Sequence, residues 1–166
     1  MTAPLSIEIS TESTLWNNPL PAADALSWRA ADAVWRREGK HNSDSELSIV
    51  LGDDALLQSL NSRFRDKNQP TNVLSFSAED SETPGMPQLL GDVVLAFETI
   101  AREADEQRKS LADHFQHLCV HGILHLLGHG HETDAEAAAM EALEIAILST
   151  IGVANPYAVG PTKRPA

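Results

Sequence analysis

The sequence predicts a single-domain α+β (mixed α/β) fold, with a small mixed sheet of about four strands packed by helices. Three observations lead there. Strand-like and helix-like segments follow one another as β-α-β-α-β-β through the first half, and helical patterning dominates the second. The third is size: 166 residues, of which 42% are apolar, are enough for one ordinary core.

Leu5, Ile7 and Ile9 alternate with Ser6, Glu8 and Ser10, which predicts an opening edge or hairpin strand with one buried face. After Pro19 and Pro21, the segment Ala22 to Glu38 carries Leu26, Ala30, Ala33 and Val34 at helical spacing. Glu46 to Gly52 reads as a strand. Asp53 or Asp54 then caps a helix with the stripe Leu56, Leu60 and Phe64 and a basic end at Arg63, Arg65 and Lys67. Thr71 to Ala78 and Leu89 to Ala96 are rich in strand formers, and Pro84, Gly85 and Pro87 make a loop between them. Ser110 with Asp113 opens a helix to about Leu127, and Thr133 with Glu136 opens another with the stripe Met140, Leu143 and Ile147. Residues 1–157 are expected to form the domain, and 158–166, with Pro161 and Pro165, a flexible tail.

Twelve Lys and Arg face 24 Asp and Glu, a formal net charge of −12. That excludes a basic, phosphate-coating nucleic-acid binder and confines any RNA contact to a local patch, within a Debye length of ~8 Å. Cys119 is the sole cysteine, so no intramolecular disulfide forms, as suits a reducing compartment. No run approaches the ~20 apolar residues of a membrane helix, and the N-terminus does not read as a signal peptide. A soluble, cytoplasmic protein is expected.

Six of the seven histidines lie between positions 114 and 131. At 100° per residue, His114, His121 and His125 fall within roughly 40° of one another, with His117 slightly aside. The rest of the helix is almost wholly apolar, so a buried helix presents imidazoles into a cleft, and a central helix is expected to carry the site. His121 and His125 are one turn apart, and a chain leaving the helix at Gly128 can return His131 to the same point. HGILHLLGHGH thus reads as H-x3-H-x5-H, three neutral nitrogens with one position of a tetrahedral ion open, as in catalytic zinc sites. One Zn2+ per chain is expected, although nickel and other divalent transition metals suit the same donors. His114 and His117 are expected to support the ligands or line the cleft. His129 either reaches substrate or is a solvated turn residue.

Arg65 offers a permanently charged fork that fits phosphate oxygens. The competing reading is a solvated cation at a helix C-terminus. Asp92 interrupts an apolar strand, where it either orients a histidine or simply begins the strand. Asn72 and Ser75 are candidate hydrogen-bonding groups near the cleft. Cys119 is off the histidine stripe and reads as a small core residue. Trp16, Trp28 and Trp35 can stack on bases, but the seven-residue spacing of the last two favours packing.

Two families share the histidine spacing. Metzincin proteases have H-E-x-x-H-x-x-G-x-x-H, but here Gly122 replaces the catalytic Glu, and Met140, the one candidate for the Met-turn, sits in a predicted helix. The fuller resemblance is to the YbeY-type endoribonucleases, rRNA maturation factors with the hallmark HGxLHLxGxxH, found here at His121 to His131. LNSRFRDKNQPTNVLSF (Leu60 to Phe76), LLGDVVLA (Leu89 to Ala96) and MEALEIAILSTIGVANPY also resemble that family, so the similarity runs from about Leu5 to Tyr157. It implies a zinc-dependent, single-strand-preferring endoribonuclease acting in rRNA maturation and ribosome quality control. It also implies that His121, His125 and His131 are metal ligands and that Arg65 is the family's essential arginine. One position departs: Gly130 stands where the family usually has an acidic residue, and His129 or Asp134 are placed to supply the missing hydrogen bond. The acidic body suggests help from ribosomal or ribosome-associated proteins in reaching RNA. It also motivates an alternative, a ribosome-assembly or RNA-binding factor whose zinc is mainly structural.

Overall fold

The structure is a computed structural model that describes residues 4–39, 43–65, 71–78 and 85–158. Four strands, β1 (Leu5–Thr11), β2 (Ser45–Gly52), β3 (Val73–Ser77) and β4 (Gln88–Ala96), form one sheet in the order β1-β2-β4-β3. β1 pairs parallel with β2, and β2 with β4, whereas β3 runs antiparallel to β4. β1 is therefore an edge strand and not half of a hairpin, and its parallel partner is reached through α1 (Ala23–Glu38), the crossover that parallel pairing requires.

Residue alternation along the strands divides the core in two. Ile49, Leu51, Val73, Val93 and Leu95 face the helices α1 and α4 (Leu111–Leu126), with Phe115, Leu118 and Ile123 in the same cluster. Leu74, Val94 and Ala96 face the other way, toward Leu57 of α2 (Asp54–Arg65). Asp53 caps α2 by accepting the Leu56 N–H at 2.9 Å. Leu57 and Asn61 are its buried residues, so the anticipated stripe of Leu56, Leu60 and Phe64 lies to one side, ending in an exposed Phe64.

Helix α4 is capped as its sequence signals, the Ser110 hydroxyl accepting the Asp113 N–H at 3.1 Å. Every residue from His114 to Leu124 is buried, which makes α4 the central helix. Thr133 caps α5 (Asp134–Thr150) through the Glu136 N–H. Helix α3 (Phe97–Glu106) has no counterpart among the elements anticipated from sequence. It follows β4 without a loop, and Ala96 has no side chain with which to cap it, so the usual start signal is missing. Trp16 is buried edge-on against Phe97 and Phe115, and its Nε1–H donates to the Gly52 carbonyl at 2.9 Å. Trp35 is also buried, but Trp28 is 54% exposed despite the shared helix. Lys67, Pro84 and the tail from Val159 onward lie outside the described residues. Among the described residues no helix is long and apolar enough to cross a membrane.

Candidate metal centre

His121 and His125 occupy successive turns at the end of α4. The helix ends at Leu126, and the chain turns away at Gly128, whose φ of +98° is in the left-handed region that glycine adopts freely. There the Gly128 N–H bonds the His125 carbonyl and the His129 N–H reaches back to Leu124. This turn returns His131 to the helix, with its ring 4.9 Å from that of His125 and 5.6 Å from that of His121. One ring nitrogen from each of the three histidines lies within 4.8 Å of the others, so the group could hold a metal ion.

The donor set fits such an ion. His121 Nε2 and His125 Nε2 are 3.0 Å apart, close to the separation of two imidazoles on one tetrahedral centre. The His125 imidazole is pushed down to about 4, chiefly by burial and further by His121 and His131, so it is a neutral base at ordinary pH. Neutral nitrogens are what a transition metal requires.

Behind His121 stands Glu144, a fully buried carboxylate on α5. Its Oε2 accepts from His121 Nδ1 at 3.0 Å, while its Oε1 accepts from His117 Nε2 and, at 2.7 Å, from the Tyr157 hydroxyl. Burial alone would raise the Glu144 carboxyl, but the hydrogen bonds from His117 and His121 outweigh it and hold the group at about 2. Burial keeps His117 below its ordinary value in spite of Glu144. Glu144 escaped sequence reasoning, although a signal existed: it falls on the apolar stripe between Met140 and Ile147, where an unpaired carboxylate would be costly. His114 turns the other way, its Nε2 3.1 Å from Glu103 of α3, which also accepts from Asn72 Nδ2 at 3.0 Å.

Gly122 explains how closely the helix approaches the sheet. A Cβ there would lie 2.7 Å from Val93 Cγ1 and 3.2 Å from the Ser75 hydroxyl. A side chain at this position would press on the sheet, and with Gly122 in place of a glutamate the cluster lacks the general base that a metzincin uses. The Ser75 hydroxyl donates to the Gly122 carbonyl at 2.8 Å. Arg65 Nη2 donates to the Ser75 carbonyl at 2.8 Å, and its guanidinium lies over the Phe76 ring at 5.6 Å. Arg65, Ser75, His125 and His131 thus line one cleft of about 910 Å3.

Neighbouring candidates sort differently. Arg63 lies over Phe64. His129 lines the cleft and sits 3.5 Å from Glu38. The carboxylate beside Gly130 belongs to Glu136, 3.3 Å from where a Cβ would stand, and not to Asp134. Asp92 is exposed, opposite Phe76 on the sheet face turned away from α4, so it orients no histidine. Cys119 is fully buried and burial pushes its thiol up, as befits a core residue.

The model of the family described as endoribonuclease YbeY matches residues 21–152. A protein named endoribonuclease YbeY from Paramagnetospirillum magneticum is 50% identical over 161 residues, spanning 95% of this chain and 98% of its own. Another of that name from Parvibaculum lavamentivorans is 48% identical, over 92% of this chain and 85% of its own. The solution structure of TM1509 from Thermotoga maritima is similar in fold, with a TM-score of 0.55 at 19% identity, over 95% of this chain and 99% of that one. With the family model covering most of the chain and relatives near half identity along nearly its whole length, this protein belongs to the endoribonuclease YbeY family.

Proposed function

We propose that this chain is a metal-dependent, single-strand-preferring endoribonuclease that acts in the cytoplasm in rRNA maturation and ribosome quality control. The carrying observation is the convergence of Arg65 with His125 and His131 on one cleft, an arginine fork beside a cluster of imidazoles. We assign His121, His125 and His131 as the ligands of one Zn2+ or similar divalent ion, and Arg65 as a catalytic residue. Such an ion, when bound, supplies Lewis acidity toward a phosphodiester and toward water.

The chain's own residues account for binding and orientation. Ser75 takes one of the five N–H donors of Arg65 and Phe76 supports its plane, so the guanidinium is held ready for two phosphate oxygens at once. In that position it also stabilises the charge that develops on phosphorus. Glu144 lies 3.0 Å from His121 Nδ1, on the side of that ring away from His125. The cleft lies between β3 and the turn after α4.

A mainly structural ion calls for four protein ligands, and among the described residues the cluster has three. The net charge of −12 favours recruitment to RNA through ribosomal or ribosome-associated proteins. The test is cleavage of matched single-stranded and duplex RNA before and after chelation, with circular dichroism on the same samples. Loss of cleavage with an unchanged spectrum, restored by Zn2+, supports the reading; unfolding on chelation supports the assembly-factor alternative instead.

A further inference from the structure

The metal centre as read above has three histidines, yet the hydrogen bonds around it extend to the last described turn of the chain. Glu144 is 1% exposed and each of its oxygens has a donor: His121 on Oε2, and His117 with Tyr157 on Oε1. A carboxylate offers only acceptors, so each facing ring nitrogen must carry its hydrogen. In the neutral ring of His121, the form that ligates a metal, this leaves Nε2 bare, the atom 3.0 Å from His125 Nε2. Tyr157 reaches Glu144 from a turn that is itself held down, its N–H on Asn155 Oδ1 at 2.8 Å and the Pro156 carbonyl on Lys109 Nζ at 2.6 Å. The Tyr157 ring also meets His117 edge-on, with centroids 5.4 Å apart.

We propose that Glu144 is the positioning residue of the metal centre, fixing the His121 tautomer through Nδ1–H, and that Tyr157 makes the C-terminal turn part of the same centre by holding the other carboxylate oxygen. This rests on the metal reading of His121, His125 and His131. Because the contacts form one chain, ligand geometry and docking of the turn support each other. Partners behind ligating histidines typically contribute 10–100-fold to metal affinity.

The test uses the full chain as wild type, Glu144→Gln, Tyr157→Phe and His131→Ala. Zn2+ affinity is measured by competition with a chromophoric chelator, and the histidine tautomers of the metal-free proteins are read from 15N spectra of the rings. The expected result has three parts: an Nδ1–H tautomer at His121 in wild type, a roughly 10–100-fold loss of Zn2+ affinity in Glu144→Gln, and a smaller loss in Tyr157→Phe. An Nε2–H tautomer at His121 in the wild type overturns the proposal, and this observation needs no variant to fold. Wild-type affinity in a folded Glu144→Gln, with His131→Ala impaired, also overturns it while leaving the metal reading intact. Absence of Zn2+ binding in wild type overturns the metal reading and the proposal together.

Discussion

Ser75 of β3 donates its hydroxyl to the carbonyl of Gly122 in the middle of α4, across 2.8 Å. The same serine accepts from Arg65 through its own carbonyl, so one residue couples the arginine to the helix that carries the imidazoles. The contact is possible because Gly122 has no side chain to separate helix and sheet.

Gly122→Ala places a Cβ 2.7 Å from Val93 Cγ1. Overpacking of this kind costs about 1–3 kcal/mol. Urea unfolding should show a lowered midpoint with an unchanged slope; a midpoint equal to wild type would mean that helix and sheet separate without penalty.

Arg65→Ala should lower RNA cleavage by about 10²–10³-fold, the usual effect of removing a charge-stabilising donor. Arg65→Lys should recover little, because a point charge lacks the planar fork. Neither change should move the unfolding midpoint much, Arg65 being exposed. Full recovery by lysine would reduce the role of Arg65 to charge alone.

In the metal-free protein, His125 is held down to about 4 by burial and by His121 and His131, against an ordinary value of 6.5. The unfolded chain takes up that proton first, so stability falls as pH drops from about 6.5 to 4. His117, lowered by burial, adds to the same loss. Glu144 is displaced from 4.5 to about 2, its hydrogen bonds overcoming burial, so its stabilisation persists above 4.5 and is lost between 4.5 and 2. Urea unfolding of the apoprotein across pH 4 to 8 should therefore show stability rising with pH, and His125→Asn should flatten part of that rise. A flat profile in wild type would contradict the buried, neutral imidazoles.

Trp16→Ala should cost about 3–5 kcal/mol, since it empties a site packed by Phe97 and Phe115. Trp28→Ala should stay within about 0.5 kcal/mol, because more than half of that residue is exposed. Equal losses in thermal unfolding would mean that Trp28 is covered in solution.

Residues whose partners are local in sequence were legible. Ser110, Asp53 and Thr133 cap the helices they precede, and Gly128 turns the chain so that His131 rejoins His121 and His125. What depended on distant partners was not. Glu144 meets His121 from 23 residues away, and Glu103 meets His114 from a helix whose first turn is capped not by its own N-cap residue Ala96 but by the distant Asp54, which accepts the Thr99 N–H. Periodicity places a carboxylate on a buried face but does not name its partner. The exposure of Trp28 has the same origin, for the helical spacing it shares with Trp35 does not reveal where the covering layer ends.

The most direct measurement pairs zinc content with RNA cleavage on the same preparations of wild type and His125→Ala. About one equivalent of zinc per chain with active cleavage in wild type, and both lost together in a folded His125→Ala, is the predicted result. Cleavage that persists in His125→Ala after its zinc is gone would contradict the account.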